Sequence, residues 1–435
     1  MAGQDTASFD EALKTVYEQR IVELLPAKLP VYQKAREMDA REWGGRYVEF
    51  PSRVRRNAGV AAYAEMGAMA TAGKQGYATT RIPMRFTAGR VQLSAQVIEA
   101  SRAGRMAFAP ALSQEMDGLV RDIAHEHGRM IHSDGRGVLA YVNGDPSTGT
   151  TITVDAPGGV AGATNGNRFI PLEGIVTFVT PATGAIVASA AETVTAIPSG
   201  GTTFTIGSAA AGDVADNNYI VRAANASVTD VSDTNYAKEP MGLRGHVDDG
   251  TYVATYHNIN RTTYPIMASH VITLNGALSS DVLQRAIDVA DQRGEGSIET
   301  LVMHHSVRRA YIGMTDDQRR YSGTDLSKPD AGTVAAKKQK LTYGGIELME
   351  DRFCDYGTIY GMDWGGFERW VMEPGRWMRH GHDEGSVLMA LGTGSTRQHA
   401  YEAIYYIWQN FHHTRPNACF RIDGVTATVT AIHID

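Results

Sequence analysis

The sequence predicts an α+β protein that carries an inserted all-β module. Apolar residues recur at helical spacing near the N-terminus, again shortly after residue 110, and in the last third of the chain. Extended runs stand between these segments, and residues 145–228 form a separate region rich in Thr, Ala, Gly and Val. The length of 435 residues allows two or three domains with a substantial core.

Composition and charge argue against several classes of protein. The formal net charge of −7 is not that of a generally basic nucleic-acid binder. Two cysteines in so long a chain exclude a disulfide framework and indicate a reducing compartment. No window of about 18 uninterrupted apolar residues occurs, and the N-terminus lacks the pattern of a secretion signal. We therefore expect a soluble protein that is made in the cytoplasm and does not contact a membrane.

The first part of the chain predicts a helical arm followed by an extended segment. Between residues 9 and 42, apolar residues recur at roughly helical spacing until Pro26 and Pro30 interrupt the pattern. The run RYVEFPSRVRRN, which begins at residue 46, is extended in character. Such an arm is too short to bury its own apolar face, so it must lie on another surface.

The run TTRIPMRF, from residue 79, predicts the second strand of a long hairpin. Its alternation places Ile82, Met84 and Phe86 on one face, and Arg81 and Arg85 on the other. The glycine-rich stretch EMGAMATAGKQGY, residues 65–77, would then be the tip between the two strands.

Charge predicts a docking role for this hairpin. Residues 46–105 hold ten Lys or Arg against three Glu, a net of +7, so the remaining residues sum to −14. A basic protrusion on an acidic body can dock onto the body of a neighbouring copy, although a merely solvated hairpin is the alternative. The candidate intersubunit contacts are Arg55, Arg56, Tyr63, Glu65, Lys74, Arg81 and Arg85.

The rest of the chain predicts a long helix, the β-module and a mixed α/β region. Residues 110–133 carry one apolar stripe and end before Gly135 and Gly137. Short β-runs separated by Pro- and Gly-containing turns fill residues 145–228. A helix from SSDVLQRAIDVADQRG, a strand and helix from ETLVMHHSVRRAYIGM, and several strands follow. Residues 322–339 have little periodic apolar content and predict a loop.

No motif predicts catalysis or cofactor binding. In the tip, Gly67 and Gly73 are separated by five residues, and Gln75 stands where a phosphate-binding loop needs Ser or Thr. Close histidine pairs could hold a metal ion, which leaves a metal-dependent enzyme as a remote alternative. The histidines concerned are His125, His127, His132, His304, His305, His380, His382, His412 and His413. Surface or interface histidines explain these pairs better, so no enzyme, metal or cofactor is predicted.

The order of these parts resembles the major capsid protein of tailed bacteriophages, with the Hong Kong 97-type fold. GGIELMEDRF followed by GTIYGMDW is similar to the family's axial-domain strands, and the closing YIWQNFHHTRPNACFRIDGV to its final peripheral-domain strands. The resemblance divides the chain into an N-terminal arm (1–45), an extended hairpin loop (46–105), a spine helix with the start of the peripheral domain (106–144), an inserted all-β domain (145–228), the continued peripheral domain (229–270), an axial domain (271–390) and C-terminal peripheral strands (391–435).

The resemblance implies a structural protein and not an enzyme. Its copies would self-assemble into pentamers and hexamers of an icosahedral shell around double-stranded DNA, in the virion capsid. Assembly in the host cytoplasm would involve a separate scaffolding protein, a portal protein and in some cases decoration proteins. Because only about 45 residues precede the hairpin, no N-terminal cleavage is expected. Lys74 is the formal candidate for a family-type crosslink, which we do not expect to form. An encapsulin-like shell around protein cargo is the alternative.

Overall fold

The computed structural model describes residues 29–40, 47–96, 108–146, 149–155, 165–187, 191–209, 214–228, 230–294, 296–316, 341–379, 387–390 and 398–427. The arm predicted before residue 29 and the loop predicted at 322–339 lie outside these residues. The α-helices of the described part are Pro30–Lys34 (α1), Phe108–Met130 (α2), Leu243–His246 (α3), Ser280–Gly294 (α4) and His305–Asp316 (α5).

The strands form two mixed sheets, a closed barrel and two separate hairpins. In chain order they are Arg36–Asp39 (β1), Tyr47–Arg55 (β2), Gly76–Pro83 (β3), Arg85–Ser94 (β4), Val138–Val142 (β5), Thr151–Asp155 (β6), Ile175–Val179 (β7), Glu192–Ala196 (β8), Thr203–Ile206 (β9), Tyr219–Arg222 (β10), Thr255–Tyr256 (β11), Ile259–Asn260 (β12), His270–Gly276 (β13), Thr300–Met303 (β14), Thr342–Tyr343 (β15), Ile346–Glu350 (β16), Ile359–Met362 (β17), Phe367–Trp377 (β18), Met389–Ala390 (β19), Ala400–His413 (β20) and Phe420–Val425 (β21). The mixed helix and strand content agrees with the predicted α+β class.

Strand β20 is the centre of the first sheet, whose order is β1-β18-β20-β19 with β4 also paired to β20. It is antiparallel to β18, with Phe367 opposite His413, and antiparallel to β4, with Arg85 opposite Gln409. The short β1 runs parallel to β18 at the sheet edge. This long strand therefore links the end of the hairpin to the body of the protein.

Helix α2 packs on this sheet and confirms the long helix predicted at 110–133. Contact with the sheet is close at Gly89 of β4, where an added Cβ would lie 2.7 Å from Cδ1 of Leu119 and 2.9 Å from Cδ1 of Ile123. The chain leaves the helix through Gly135, whose φ of +84° favours glycine. Apolar residues of α2 enter a core that is shared with the barrel and with β18 and β20.

The barrel closes in the order β10-β5-β6-β9-β8-β7. Five of its strands lie within the predicted all-β segment, and β5 precedes that segment. Alternation along β6 buries Ile152 and Val154 while the Thr side chains face outward. Phe178 and Phe204 fill the interior from other strands, so the barrel has a packed core.

The second sheet has the order β13-β21-β17-β14-β16-β15, and α4 and α5 cover it. The predicted helix at 279–294, the strand followed by a helix at 299–314, and the strands at 340–364 are all confirmed. Each sheet combines strands from distant parts of the chain, because β18 joins the first sheet and β21 joins the second.

Two local predictions were wrong. The helical arm does not extend through residues 36–39, which form β1, because the edge of β18 offers backbone hydrogen bonds to this segment. Phe86 does not share a buried face with Ile82 and Met84, since 62% of its surface is exposed. The reason is a break at Met84, where the chain leaves the hairpin and enters the first sheet.

The buried His127 on α2 makes the stability of the fold depend on pH. Its ring is buried, with Nδ1 3.4 Å from Nε2 of Gln409, and burial lowers its pKa from 6.5 to about 4. Between these values the unfolded chain binds a proton that the folded chain excludes, so stability falls as the pH is lowered from 6.5 to about 4.

The variant His127→Gln should therefore flatten the pH dependence of folding. We expect the slope of the unfolding free energy to fall by about 1.4 kcal/mol per pH unit in this window. Urea unfolding at several pH values measures that slope. His305→Gln, at an exposed position, is the control. An unchanged slope in His127→Gln would contradict the assignment.

Candidate subunit-contact surface

The strands of the hairpin of β2 and β3 are attached to the body through two small apolar cores. The strands pair antiparallel from Tyr47 opposite Pro83 to Arg55 opposite Gly76. Near the base, Val48 and Ile82 are buried in a small core with Trp370. At the other end of β2, Val54 packs in a second small core with Tyr256 and Ile259 of the body, so only the loop beyond the strands lacks a core.

Hydrogen bonds to the body strengthen this attachment. The backbone N–H of Arg81 donates to the carbonyl of His257 at 2.9 Å, and Nδ2 of Asn410 donates to the carbonyl of Pro83 at 2.7 Å. The ring of Phe50 stacks on Trp370 with centroids 6.1 Å apart. The hairpin therefore leaves the body in a fixed direction.

Residues 56–75 form the distal loop, with no helix or strand. Its neck is narrow, because an added Cβ on Gly73 would lie 2.6 Å from the backbone nitrogen of Gly59 and 2.1 Å from Oδ1 of Asn57. Oδ1 of Asn57 also accepts a hydrogen bond from the Gly59 N–H at 2.8 Å. Only glycine allows the two segments to approach so closely.

Substitution of Gly73 by Ala should open this neck. The added methyl group would force Asn57 and the backbone at Gly59 apart, which frees the loop beyond them. We expect trypsin to cleave after Lys74 severalfold faster in Gly73→Ala than in the unsubstituted protein. Gly118→Ala is the control, because nothing lies within 4 Å of an added Cβ there. Equal cleavage rates would show that the neck does not restrain the loop.

Beyond the neck, every side chain from residue 60 to residue 75 is exposed. Four of them are large and apolar, and we call them the apolar tip: Val60, Tyr63, Met66 and Met69. The side chain of Met66 is fully exposed, and its backbone has the left-handed φ of +59° in a turn closed by a 2.8 Å hydrogen bond from Gly67 to Ala64. Several exposed apolar side chains in one short segment are typical of an interaction surface.

The predicted contact residues lie in three parts of the hairpin: the distal loop, the end of β2 and the base. Tyr63, Glu65 and Lys74 are exposed in the distal loop, and Arg55 and Arg56 are exposed at the end of β2. The two remaining candidates lie at the base and differ from each other. The seven residues therefore do not form one patch.

Arg81 is engaged within its own hairpin. Its Nε lies 2.5 Å from Oε1 of Glu49 on the opposite strand, and its guanidinium lies 5.1 Å from the centroid of the Tyr47 ring. Both partners of the ion pair are about half exposed, so the pair contributes little to stability. Arg85 is half-buried where β4 begins.

Sequence reasoning missed most of the apolar tip, because it selected charged residues and Tyr63. The available signal was the presence of two methionines in a stretch of Ala, Gly and Thr that has no strand or helix pattern. Methionine side chains adapt to irregular partner surfaces, which suits a contact between copies.

The histidine pairs do not assemble into a metal centre in the described part of the chain. No group of three or more His, Cys, Asp or Glu side chains is placed to hold a metal ion there. His412 and His413 are buried in the body, and burial lowers the pKa of His413 to about 4. His304 packs against the ring of Tyr356, while His380 and His382 lie outside the described residues.

No described helix is long and apolar enough to cross a membrane. Neither protein-family models nor curated protein sequences gave a match to this chain.

Solved structures do match it. A chain of the cyanophage A-1(L) capsid asymmetric unit aligns over 92% of this chain and 93% of its own length, with a TM-score of 0.52 and 10% identity. The capsid of a native GTA particle aligns over 91% of this chain and 90% of its own, with a TM-score of 0.44 and 9% identity. The holo-SrpI encapsulin complex of Synechococcus elongatus aligns over 93% of this chain and 90% of its own, with a TM-score of 0.40 and 9% identity.

The cyanophage match covers almost the whole of both chains, so it concerns the complete architecture and not one shared motif. The resemblance predicted from the sequence is confirmed at the level of the fold. This chain has the fold of a phage capsid protein.

Proposed function

We propose that this chain is the major capsid subunit of a tailed phage. Copies of it would form the pentamers and hexamers of an icosahedral shell that encloses double-stranded DNA. The observation that carries the proposal is the fold shared with the cyanophage capsid protein over more than nine tenths of each chain. The role is structural, and no catalytic residue is assigned.

The hairpin supports this proposal. A closed shell requires each subunit to present different surfaces to successive neighbours. The apolar tip lies in the exposed loop beyond the two strands of the hairpin, so it can reach a neighbouring copy. Contact with a neighbour would remove the tip from water, which stabilises the assembly by roughly 1.5–3 kcal/mol for each fully buried large apolar side chain.

The parts of the chain receive corresponding roles in this proposal. The hairpin of β2 and β3 with its distal loop is the extended loop, α2 is the spine helix, and the second sheet is the centre of the axial domain. The barrel, around residues 145–228, is an inserted domain. The subunit would assemble in the host cytoplasm with a separate scaffolding protein and a portal protein, and decoration proteins would bind in some shells.

The contents of purified particles test the proposal against its rival, an encapsulin-like shell. We expect nuclease-treated particles from infected or induced cells to retain double-stranded DNA. Contact with that DNA would be non-specific, which agrees with the net charge of −7. Particles without DNA that retain one co-purifying enzyme would favour the compartment and contradict the phage capsid.

A further inference from the structure

A cleft of about 520 Å³ lies where the base of the hairpin meets the body. Five charged side chains line it: Arg81, Arg85, Arg136, Asp134 and Glu239. Four of these charges are in ion pairs within the subunit: Arg81 with Glu49, Arg136 with Asp134, and Glu239 with Arg129. The charge that remains is that of Arg85.

Arg85 has no counter-ion among the residues that the structure describes. Its side chain is half-buried, and its Nε has no hydrogen-bond partner there. Burial lowers the pKa of its guanidinium. Polar groups at buried positions are nearly always paired, and an unpaired charge is costly to bury. In the isolated subunit, this position is therefore unfavourable for a cation.

A second unsatisfied group lines the same cleft. His257 is 5% exposed, and its Nε2 has no hydrogen-bond partner in the described part of the chain. Its backbone has a left-handed φ of +42°, in the turn whose carbonyl receives the Arg81 N–H. The cleft thus holds two nitrogen atoms, Nε of Arg85 and Nε2 of His257, that make no hydrogen bond within the described part of the chain.

We propose that this cleft binds an Asp or Glu side chain of a second copy of the chain, with Arg85 as the residue that holds the carboxylate. The planar guanidinium fits a carboxylate with two parallel hydrogen bonds. The partner's charge is complementary, because the chain outside residues 46–105 sums to −14. This inference rests on the proposed shell function and names one contact within it.

Neutralising Arg85 should weaken assembly of the shell without destabilising the folded subunit. In Arg85→Gln, the Tm of the isolated subunit should be unchanged or higher, since an unpaired charge is removed. The protein concentration needed for half-maximal assembly should rise at least tenfold. Arg90→Gln is the matched control, because Arg90 lies on the same strand with 62% of its side chain exposed, and it should shift assembly less than twofold.

Carbodiimide coupling identifies the partner directly. In assembled Arg85→Lys protein, the reagent should join the introduced amine to a carboxylate of another copy, as shown by peptides that combine differently isotope-labelled subunits. In Arg81→Lys, the same reagent should join the amine to Glu49 of the same copy, because that pair lies within one hairpin.

The outcomes separate the two proposals. If the unsubstituted protein assembles and Arg85→Gln assembles equally well, the cleft inference fails while the shell function stands. Coupling of Arg85→Lys only within one copy, or a lower Tm in Arg85→Gln, also overturns the inference. If the unsubstituted protein never associates, both proposals fail.

Discussion

The triple variant Tyr63→Ser, Met66→Ser, Met69→Ser is expected to abolish shell assembly and to leave the subunit folded. These three side chains are exposed in the subunit, so their loss should change its unfolding free energy by no more than about 0.5 kcal/mol. If a neighbour buries all three, the loss in association free energy is about 4.5–9 kcal/mol per contact, at least a thousandfold in the association constant.

Light scattering during assembly and circular dichroism of the subunit measure the two quantities. The matched control replaces three exposed apolar residues outside the hairpin by Ser: Leu172, Ile266 and Met378. Assembly of the tip variant at the rate of the unsubstituted protein would show that the apolar tip is not a subunit contact. Loss of assembly in both variants would show that the effect is not specific to the tip.

The variant Asp248→Ala should destabilise the subunit by about 3–5 kcal/mol, because Asp248 connects two buried arginines. It is fully buried, with Oδ2 3.3 Å from Nη1 of Arg261 and Oδ1 3.4 Å from Nη2 of Arg421. Its Oδ2 also accepts hydrogen bonds from the backbone N–H groups of Gly250, Tyr252 and Val253 at 2.9–3.0 Å.

Removal of this carboxylate leaves buried charge and several N–H donors without their acceptor. The loss is a large fraction of the 5–15 kcal/mol that stabilises a typical domain. Urea unfolding measures it, and Asp249→Ala is the control. Asp249 is exposed and accepts hydrogen bonds from the backbone N–H and the hydroxyl of Thr251, so its loss should cost less than about 1 kcal/mol. Equal stability of the two variants would contradict the role given to Asp248.

Local patterns in the sequence were sufficient for most individual elements. The stripe of α2, the capped helix α4 and the alternation in β3 all depend on residues that are close in sequence. The pairing of the two hairpin strands could also have been used to predict an ion pair, because it places Glu49 opposite Arg81. That step distinguishes Arg81, which has an internal partner, from Arg85, which has none among the described residues.

The pairing of strands that are distant in the chain could not be predicted from the sequence. Nothing local shows that β21 pairs between β13 and β17, or that the barrel closes through β5. Phe86 illustrates the limit most clearly, because its alternation continues that of Ile82 and Met84 while its strand belongs to another sheet. A period of two residues predicts which side chains share a face only while the strand remains in one sheet.

The size of the purified protein tests the central claim most directly. Sedimentation velocity and electron microscopy should be carried out over a range of protein concentrations, with and without a scaffolding protein from the same source. We predict closed, uniform particles built from many copies of the chain. A protein that remains a monomer or dimer under every one of these conditions would contradict the proposal that it is a shell subunit.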